Sequence, residues 1–481
     1  MKSFSRRSFL KGSLAATTAL SLPARSWSRV LGANDSIGIA VVGFNGRGQD
    51  ALANFLKPEM GTRIVALCDV DREVLGREVD KFKKRGQEVA GYVDYRQLLE
   101  DKNVDAVALA TPNHWHALGA IWGIQAGKDV YVEKPVSHNV WEGRKIVEAA
   151  RKHNKIVQTG TQSRSSFAIR EAVKWVRAGN LGKMLLARGT CYKRRASIGK
   201  VTTPLRIPDS IDADLWCGPA PKRSTIMRSR LHYDWHWDFE TGNGDLGNQG
   251  IHQMDIARWF LGENGLSPRV LSIGGRLGYD DDGNTPNTQL VYHGYKVPLI
   301  FEVRGLPEKT GSSEMDKFMG SRVGVIIHCE GGHVLVPSYT SAIAYDRDGK
   351  EIKKFDGADN HYQNFIKAVR SRKHTDLNAD IWEGHVSSAL CHTANISHRV
   401  GRKSSQQKIR DTIKNNAEAT ETLGRMLEHL KLNDVNLDKT PLTLGTFLRM
   451  DPKVEKFINH PEADALLTRD YRAPFVVPER V

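Results

Sequence analysis

Apolar residues in the first third of the chain fall into short runs, each bounded by glycine, asparagine or charge. Residues 37–42 are apolar and β-branched, then meet Gly43-Phe44-Asn45-Gly46-Arg47-Gly48. Residues 49–56 follow with helical spacing, 63–67 read as a second strand ending in Cys68-Asp69, and 71–84 are helical again. The alternation continues with a strand at 104–110, a helix at 117–126 and a strand at 130–132. A helix at 140–153, a strand at 156–159 and a helix at 167–177 complete it. Doubly buried strands interleaved with helices predict a parallel, doubly wound α/β sheet of the Rossmann type.

The texture changes after Gly179-Asn180-Leu181-Gly182. Strand-like runs now succeed one another at 184–190, 270–273, 288–292, 298–303, 323–328 and 333–336, separated by turns such as Asp280-Asp281-Asp282-Gly283-Asn284. They predict an α+β domain with a largely antiparallel open sheet. Helical spacing returns at 362–369, 382–398 and 413–430, and the end of the chain reads as extended. The expected organisation is a signal at 1–33, a nucleotide-binding domain at 36–160, an α+β domain at 161–450 and a tail at 451–481.

Charge alters this picture little. The chain of 481 residues carries a formal +15. Lys2, Arg6, Arg7, Lys11, Arg25 and Arg29 all precede Asp35, the first acidic residue, and without them about +9 remains, spread among mixed charges. No basic block with interleaved aromatics follows residue 40, which argues against a nucleic-acid partner. Ser5-Arg6-Arg7-Ser8-Phe9-Leu10-Lys11 precedes a short, mildly apolar stretch and resembles a twin-arginine export signal. Beyond it no run of eighteen apolar residues occurs, so the mature chain is expected in the periplasm and not in a membrane. The five cysteines are odd in number and far apart, which suits neither a disulfide framework nor a metal site.

The glycine loop brings in chemistry. A strand, then Gly43, Gly46 and Gly48, then a helix suits a pyrophosphate, which needs close backbone approach and free N–H groups at a helix N-terminus. Asn45 and Arg47 belong to the same loop. Asp69, about twenty residues on, can accept bonds from an adenosine ribose diol and would repel a 2′-phosphate. NAD is therefore favoured, with Arg72 leaving NADP open. After the third predicted strand, Thr111-Pro112-Asn113-His114-Trp115-His116 reads either as a border of the nicotinamide end or as a capped turn. Glu133-Lys134-Pro135 ends the next strand, where open α/β sheets bind ligands. Lys134 is the candidate reacting-centre cation there, and Glu133 its neighbour.

Farther on, Asn248, His252 and Asp255 are spaced i, i+4 and i+7, one face of a predicted helix suited to proton transfer. The bland reading is a helix with one satisfied histidine and a capping asparagine. His232-Tyr233-Asp234-Trp235-His236-Trp237 offers aromatic faces for a sugar or for a domain interface. Tyr233, Trp235, His236, His252 and Arg164 form the candidate substrate contacts. No metal site is expected.

The glycine loop, Asp69, Thr111-Pro112-Asn113 with His116, Glu133-Lys134-Pro135 and Gly250-Ile251-His252 together resemble the Gfo/Idh/MocA oxidoreductases, over residues 36 to 480. The resemblance implies a Rossmann domain followed by an α/β domain whose open sheet often mediates homo-oligomers. It implies hydride transfer between a nicotinamide cofactor and a sugar or polyol. Lys134 would touch the reacting hydroxyl and the nicotinamide ribose, His252 would accept the proton, and the proline after the lysine would be cis. Asn248 stands where the family commonly has aspartate, and an amide cannot take a proton. That role could pass to Asp245, Asp255 or His236. Two other functions stay open on the same fold: a glycosidase that keeps NAD bound through transient oxidation and elimination, and a non-catalytic sugar-binding protein.

Overall fold

The computed structural model describes residues 36–203, 207–221 and 231–481. The expected export signal lies outside the described residues. The first sheet has six parallel strands: β1 (Ile37–Val42), β2 (Thr62–Cys68), β3 (Ala90–Tyr92), β4 (Ala106–Leu109), β5 (Asp129–Val132) and β6 (Val157–Thr159). Their order, β3-β2-β1-β4-β5-β6, reverses beside β1, so a crevice opens between the ends of β1 and β4. The central strands are buried on both faces, as their unbroken apolar runs require. The helices between them are α1 (Gly48–Phe55), α2 (Arg72–Lys84), α3 (Tyr95–Leu99), α4 (Asn113–Gln125) and α5 (Val140–Lys152). The short strand β3 and helix α3 lacked a readable period in the sequence.

The helix α6 (Phe167–Arg177) leads into a twelve-stranded mixed sheet. Its principal strands are β7 (Met184–Tyr192), β8 (Arg269–Gly275), β9 (Thr288–His293), β10 (Leu299–Arg304) and β11 (Val323–Cys329). They continue with β12 (Gly332–Ser338), β13 (Ser341–Asp346) and β14 (Glu351–Asp356). Strands β7 and β10 pair in parallel, and the other described pairings are antiparallel. One face packs on α6, on α7 (Ile251–Leu261) and on a long helix further along the chain. Before that helix, α8 (His361–Ser371) returns to the first domain and packs Tyr362, Phe365 and Ile366 against its sheet. The long helix, α9 (Ile381–Arg399), contacts α5, and Ile381 joins the first domain's core. The expected tail does not hang free: Phe475, Val477 and Val481 are buried in that same core. All five cysteines are unpaired and buried. Among the described residues, no helix is long and apolar enough to cross a membrane.

The expected helix at 413–430 is two helices, α10 (Gln406–Ile413) and α11 (Ala417–Leu432). Asn416 ends the interruption by capping α11, its side chain accepting from the Ala419 amide. This pair covers part of the sheet's outer face. Leu423, Met426 and Leu430 pack on Ile273, Leu290 and Leu306. Beside them Arg425 donates to the buried Glu302 carboxylate, which also receives Arg188 and the Tyr192 hydroxyl. These donors hold the Glu302 carboxyl below its ordinary range although burial pushes it up. Arg425→Ala leaves Glu302 with Arg188, Tyr192 and, at 3.5 Å, Arg304, and should lower stability by about 1–2 kcal/mol in urea unfolding. An unchanged midpoint would show that the ion pair contributes nothing to holding α11.

Candidate active site

Strand β1 ends at Gly43, whose φ of +75° lies in the left-handed region and turns the chain toward α1. Gly43 N–H donates to the Cys68 carbonyl, tying the loop to the end of β2. A Cβ on Gly48 would stand 2.1 Å from the Gly43 carbonyl oxygen, so the loop closes only on glycine there. Gly46 differs: a Cβ on it meets nothing within 4 Å. Among the described residues, no atom demands glycine at that position. It leaves open backbone at the helix N-terminus, the cradle a pyrophosphate fills.

A cavity of about 400 Å³ runs past this loop, large enough for a substantial part of a dinucleotide. Gly43, Asn45, Gly46, Arg47, Asp69, Thr111, Pro112, Asn113, His116, Glu133 and Lys134 all line it. Gly48 lies beneath the loop rather than on the wall. Asp69 is fixed by two backbone donors, Phe44 N–H to Oδ2 at 3.3 Å and Asp71 N–H to Oδ1 at 3.0 Å. Burial raises its pKa, and these two bonds oppose the rise. Each carboxylate oxygen retains capacity for a ribose hydroxyl.

The other end of the cavity holds the charged residues. Glu133 Oε1 accepts from Arg47 Nε at 3.1 Å, from Gln162 at 3.2 Å and from Tyr131 at 3.3 Å. Lys134 has no carboxylate to itself. Its Nζ donates to the Asn248 backbone carbonyl at 2.6 Å, across to the second domain. Burial is the main influence lowering its pKa, to about 8; Glu133 opposes this and Arg47 adds to it. The Lys134–Pro135 peptide is cis. His116 sits with Nδ1 2.6 Å from the Pro135 carbonyl and Nε2 2.7 Å from the Thr111 carbonyl. It braces the lysine's strand end against the Thr111 loop. His114 faces the Thr241 and Trp216 carbonyls.

The helix expected to carry Asn248, His252 and Asp255 on one face begins differently. Leu246–Gly250 forms a π-helical turn before α7, which changes the angular relation of Asn248 to the residues after it. Asn248 reaches the cavity wall, and its backbone carbonyl, not its amide, receives the lysine. His252 is buried behind the wall, 4.9 Å between ring centroids from Tyr339, with Nδ1 lacking a hydrogen-bond partner among the described residues. Burial, then the Lys134 and Arg47 charges, lower its pKa far below the usual histidine range, so it is neutral. Asp255 points away from the cavity. Its carboxylate takes Arg164 Nε at 2.9 Å and Ser387 Oγ at 2.6 Å. Arg164 also pairs with Glu383 at 3.0 Å. Asp255 and Arg164, expected at the site, thus bind each other inside the domain core, where separate burial would leave each charge uncompensated. Asp245, another candidate, is bound by Arg195 at 2.5 Å.

Tyr233, Trp235 and His236 do line the cavity. His236 stacks on Trp235 with centroids 3.5 Å apart, and its Nδ1 lies 2.6 Å from the Tyr233 carbonyl. Donation from Nδ1 leaves Nε2 as the basic nitrogen. Burial is the first cause lowering the pKa of His236, to about 3.

Sequence reasoning missed Leu215 and Trp216, which line the same cavity. They belong to a strap that crosses the crevice. Arg72 N–H donates to the Ser210 carbonyl at 2.8 Å and Asp212 N–H to the Val70 carbonyl at 3.0 Å. Trp115 Nε1 donates to the Leu215 carbonyl at 2.9 Å, and His232 Nε2 lies 3.2 Å from Asp71 Oδ2. The strap is latched directly beside Asp69. The tryptophans were the available sequence signal, but no local period places them over a nucleotide.

Fold and site together define a two-domain dinucleotide-binding protein with a lysine on the wall of its cavity. The chain belongs to the Gfo/Idh/MocA oxidoreductase family. Residues 37–161 match that family's NAD-binding Rossmann fold and residues 166–294 its C-terminal alpha/beta domain. Residues 3–23 match a twin-arginine translocation signal. Inositol 2-dehydrogenase of Salmonella typhimurium is 28% identical over 172 residues, 36% of this chain and 50% of that protein. Glycosyl hydrolase family 109 protein 2 of a Shewanella species is 30% identical over 211 residues, 38% of this chain and 45% of that protein. The chain thus spans about half the length of the curated relatives it matches. The WlbA dehydrogenase of Bordetella pertussis, solved with NADH and UDP-GlcNAcA, superposes with a TM-score of 0.54 at 19% identity. That match covers 74% of this chain and 94% of the other, a likeness of fold.

The two loop glycines separate fold from ligand. Gly48→Ala should lower the unfolding midpoint of the cofactor-free protein, since its Cβ collides with backbone. Gly46→Ala should leave that midpoint unchanged and weaken NAD binding about tenfold or more, read by titration calorimetry. Equal NAD affinity in Gly46→Ala would remove the cradle from the cofactor site.

Proposed function

We propose that the protein is an NAD-dependent oxidoreductase, with NADP as the less favoured cofactor, acting on a CH–OH group of a sugar, polyol or glycoside. The observation that carries this reading is the Lys134 ammonium, held by the Asn248 carbonyl, on the wall of the same cavity as the glycine loop and Asp69. A nicotinamide dinucleotide held by the glycine loop and Asp69 would supply the hydride acceptor for a carbinol carbon. Lys134 donates to the hydroxyl oxygen, holding the carbon in place and stabilising negative charge as the proton leaves. A neutral histidine takes that proton. His252 offers an unpartnered Nδ1, and His236 offers a basic nitrogen on the wall itself. Asn248 orients the lysine. Tyr233 and Trp235 present ring faces to the sugar. The export signal supports a periplasmic location. A homo-oligomer through the second-domain sheet would have to use what α10 and α11 leave uncovered, such as the exposed Ile352 on β14.

A second reading is favoured by the strap. A cofactor latched at its adenosine end is slow to exchange, and a glycosidase that oxidises, eliminates, hydrates and reduces needs no exchange at all. The family 109 relative gives this weight.

Mass spectrometry of the denatured, purified protein should find a stoichiometric nicotinamide dinucleotide. Mixing with a sugar panel should then produce the near-ultraviolet band of reduced nicotinamide. Turnover of a glycoside without that band accumulating selects the second reading, and silence in both assays sinks both. Lys134→Met should lower the rate by about 10²-fold or more, as should either His252→Gln or His236→Gln, whichever removes the proton acceptor.

The pH dependence has a definite sign. The lysine pKa is depressed to about 8, so its ammonium is present at neutral pH and lost as pH rises through that value. The rate should fall on that alkaline side, and Lys134→Arg, which stays charged, should lack the fall. A wild-type profile still rising steadily to pH about 9.5 would rule out a required ammonium.

A further inference from the structure

Strand β7 alternates between the two faces of its sheet. Ala187 and Cys191 point to the core shared with α7. A Cβ on Gly189 between them would stand 3.3 Å from the Gln253 Cβ of α7. Continued past the strand end, the same alternation puts Lys193 and Arg195 on the α7 side and Arg194 on the other. Arg195 agrees with this. Its guanidinium takes Asp245 and donates from Nη1 to the Tyr233 hydroxyl at 2.9 Å, and Tyr233 lines the cavity. The backbone here is fixed, Lys193 N–H donating to the Arg304 carbonyl at 3.0 Å and Arg195 N–H to the Gly305 carbonyl at 2.9 Å.

Lys193 is exposed, and no carboxylate among the described residues pairs with it. Asp245, the nearby acid, is engaged by Arg195. The acids on the cavity wall number two, Asp69 at the adenosine end and Glu133, which Arg47 occupies. Lys134 is the ammonium on the cavity wall; Lys193, not itself a wall residue, is a second one on the α7 side of β7, two residues before the arginine that holds the wall's Tyr233, and neither has a free carboxylate among the described residues. The field of Lys193 is felt at both Lys134 and His252.

We propose that Lys193 is a specificity-determining residue that selects a substrate bearing a negatively charged substituent, a carboxylate or a sulfate ester, over its neutral counterpart. This rests on the reading of the cavity as a sugar site and adds the charge of the sugar. Lys193 is exposed and stands outside the residues that line the cavity, so it meets a substituent that projects from the cavity and stays partly solvated, while Lys134 keeps the reacting hydroxyl. A charge-assisted hydrogen bond in such a place contributes enough to separate charged from neutral ligands clearly.

The test uses the full protein with NAD present and reads binding directly by calorimetry for glucose, glucuronate and glucose 6-sulfate. The expected result is about tenfold tighter binding of at least one anionic sugar than of glucose, an advantage that shrinks with added salt. Lys193→Gln should bring the ratio to within about twofold, and Lys193→Arg should retain most of it. For a turned-over sugar, Lys193→Gln should raise KM and leave kcat in place. Absence of any preference in the wild type, including absence of binding by all three, overturns the proposal, as does a preference that survives Lys193→Gln. The redox reading fails separately, when no sugar changes the nicotinamide absorbance although an anionic one binds.

Discussion

An ammonium group buried at a domain junction organises this protein. Lys134 leaves the end of β5 in the first domain and finds its acceptor, the Asn248 carbonyl, in the second. Neither domain alone satisfies it. A buried cation without a partner is costly, so the two domains are held in the one relation that supplies a carbonyl at hydrogen-bond distance. The surroundings serve the same requirement. Arg47 takes up the Glu133 carboxylate, His116 braces the strand end, and the π turn before α7 brings Asn248 to the wall. The result is a lysine whose charge is only moderately stabilised, burial lowering its pKa to about 8.

Burial treats the other charges differently. Asp255 with Arg164, and Asp245 with Arg195, are closed pairs that hold α7 and the preceding loop in place. Their ionic strength is turned inward, to architecture. The histidines near them are neutral because desolvation and neighbouring cations disfavour a second positive charge. Structural ion pairs and a lone cation with neutral bases therefore coexist within a few residues of each other. Partner count, not residue type, separates the two classes.

Much of the chain beyond the first sheet returns to cover surfaces. The strap latches over the crevice beside Asp69, α8 and the C-terminal residues complete the core of the first domain, and α10 with α11 cover the outer face of the second sheet. An uncovered mixed sheet would expose Leu290, Leu306 and the Glu302 cluster. Covering it from within the chain removes part of the apolar face that a partner subunit would otherwise bury.

Local patterns were enough for much of this. Strand periodicity and the glycine loop announced the Rossmann sheet, because close backbone approach and parallel burial leave marks within a few residues. Gly43, Asp69 and Lys134 were legible for the same reason, each standing at a strand end. What the sequence could not reveal depended on distant partners. Asn248, His252 and Asp255 looked like one helical face until a π turn changed the place of Asn248 relative to the other two, and Arg164 looked like a ligand contact until Asp255 claimed it. The strap's tryptophans carry no period, and Lys193 is one cation among seventy lysines and arginines until the strand alternation gives it a face. The sequence by itself determined which elements form and where a dinucleotide would lie, since both follow from backbone geometry between near neighbours. Only the tertiary structure decided which charges are paired and which remain free, because the energy of a charge depends on what the fold brings within a few ångströms of it.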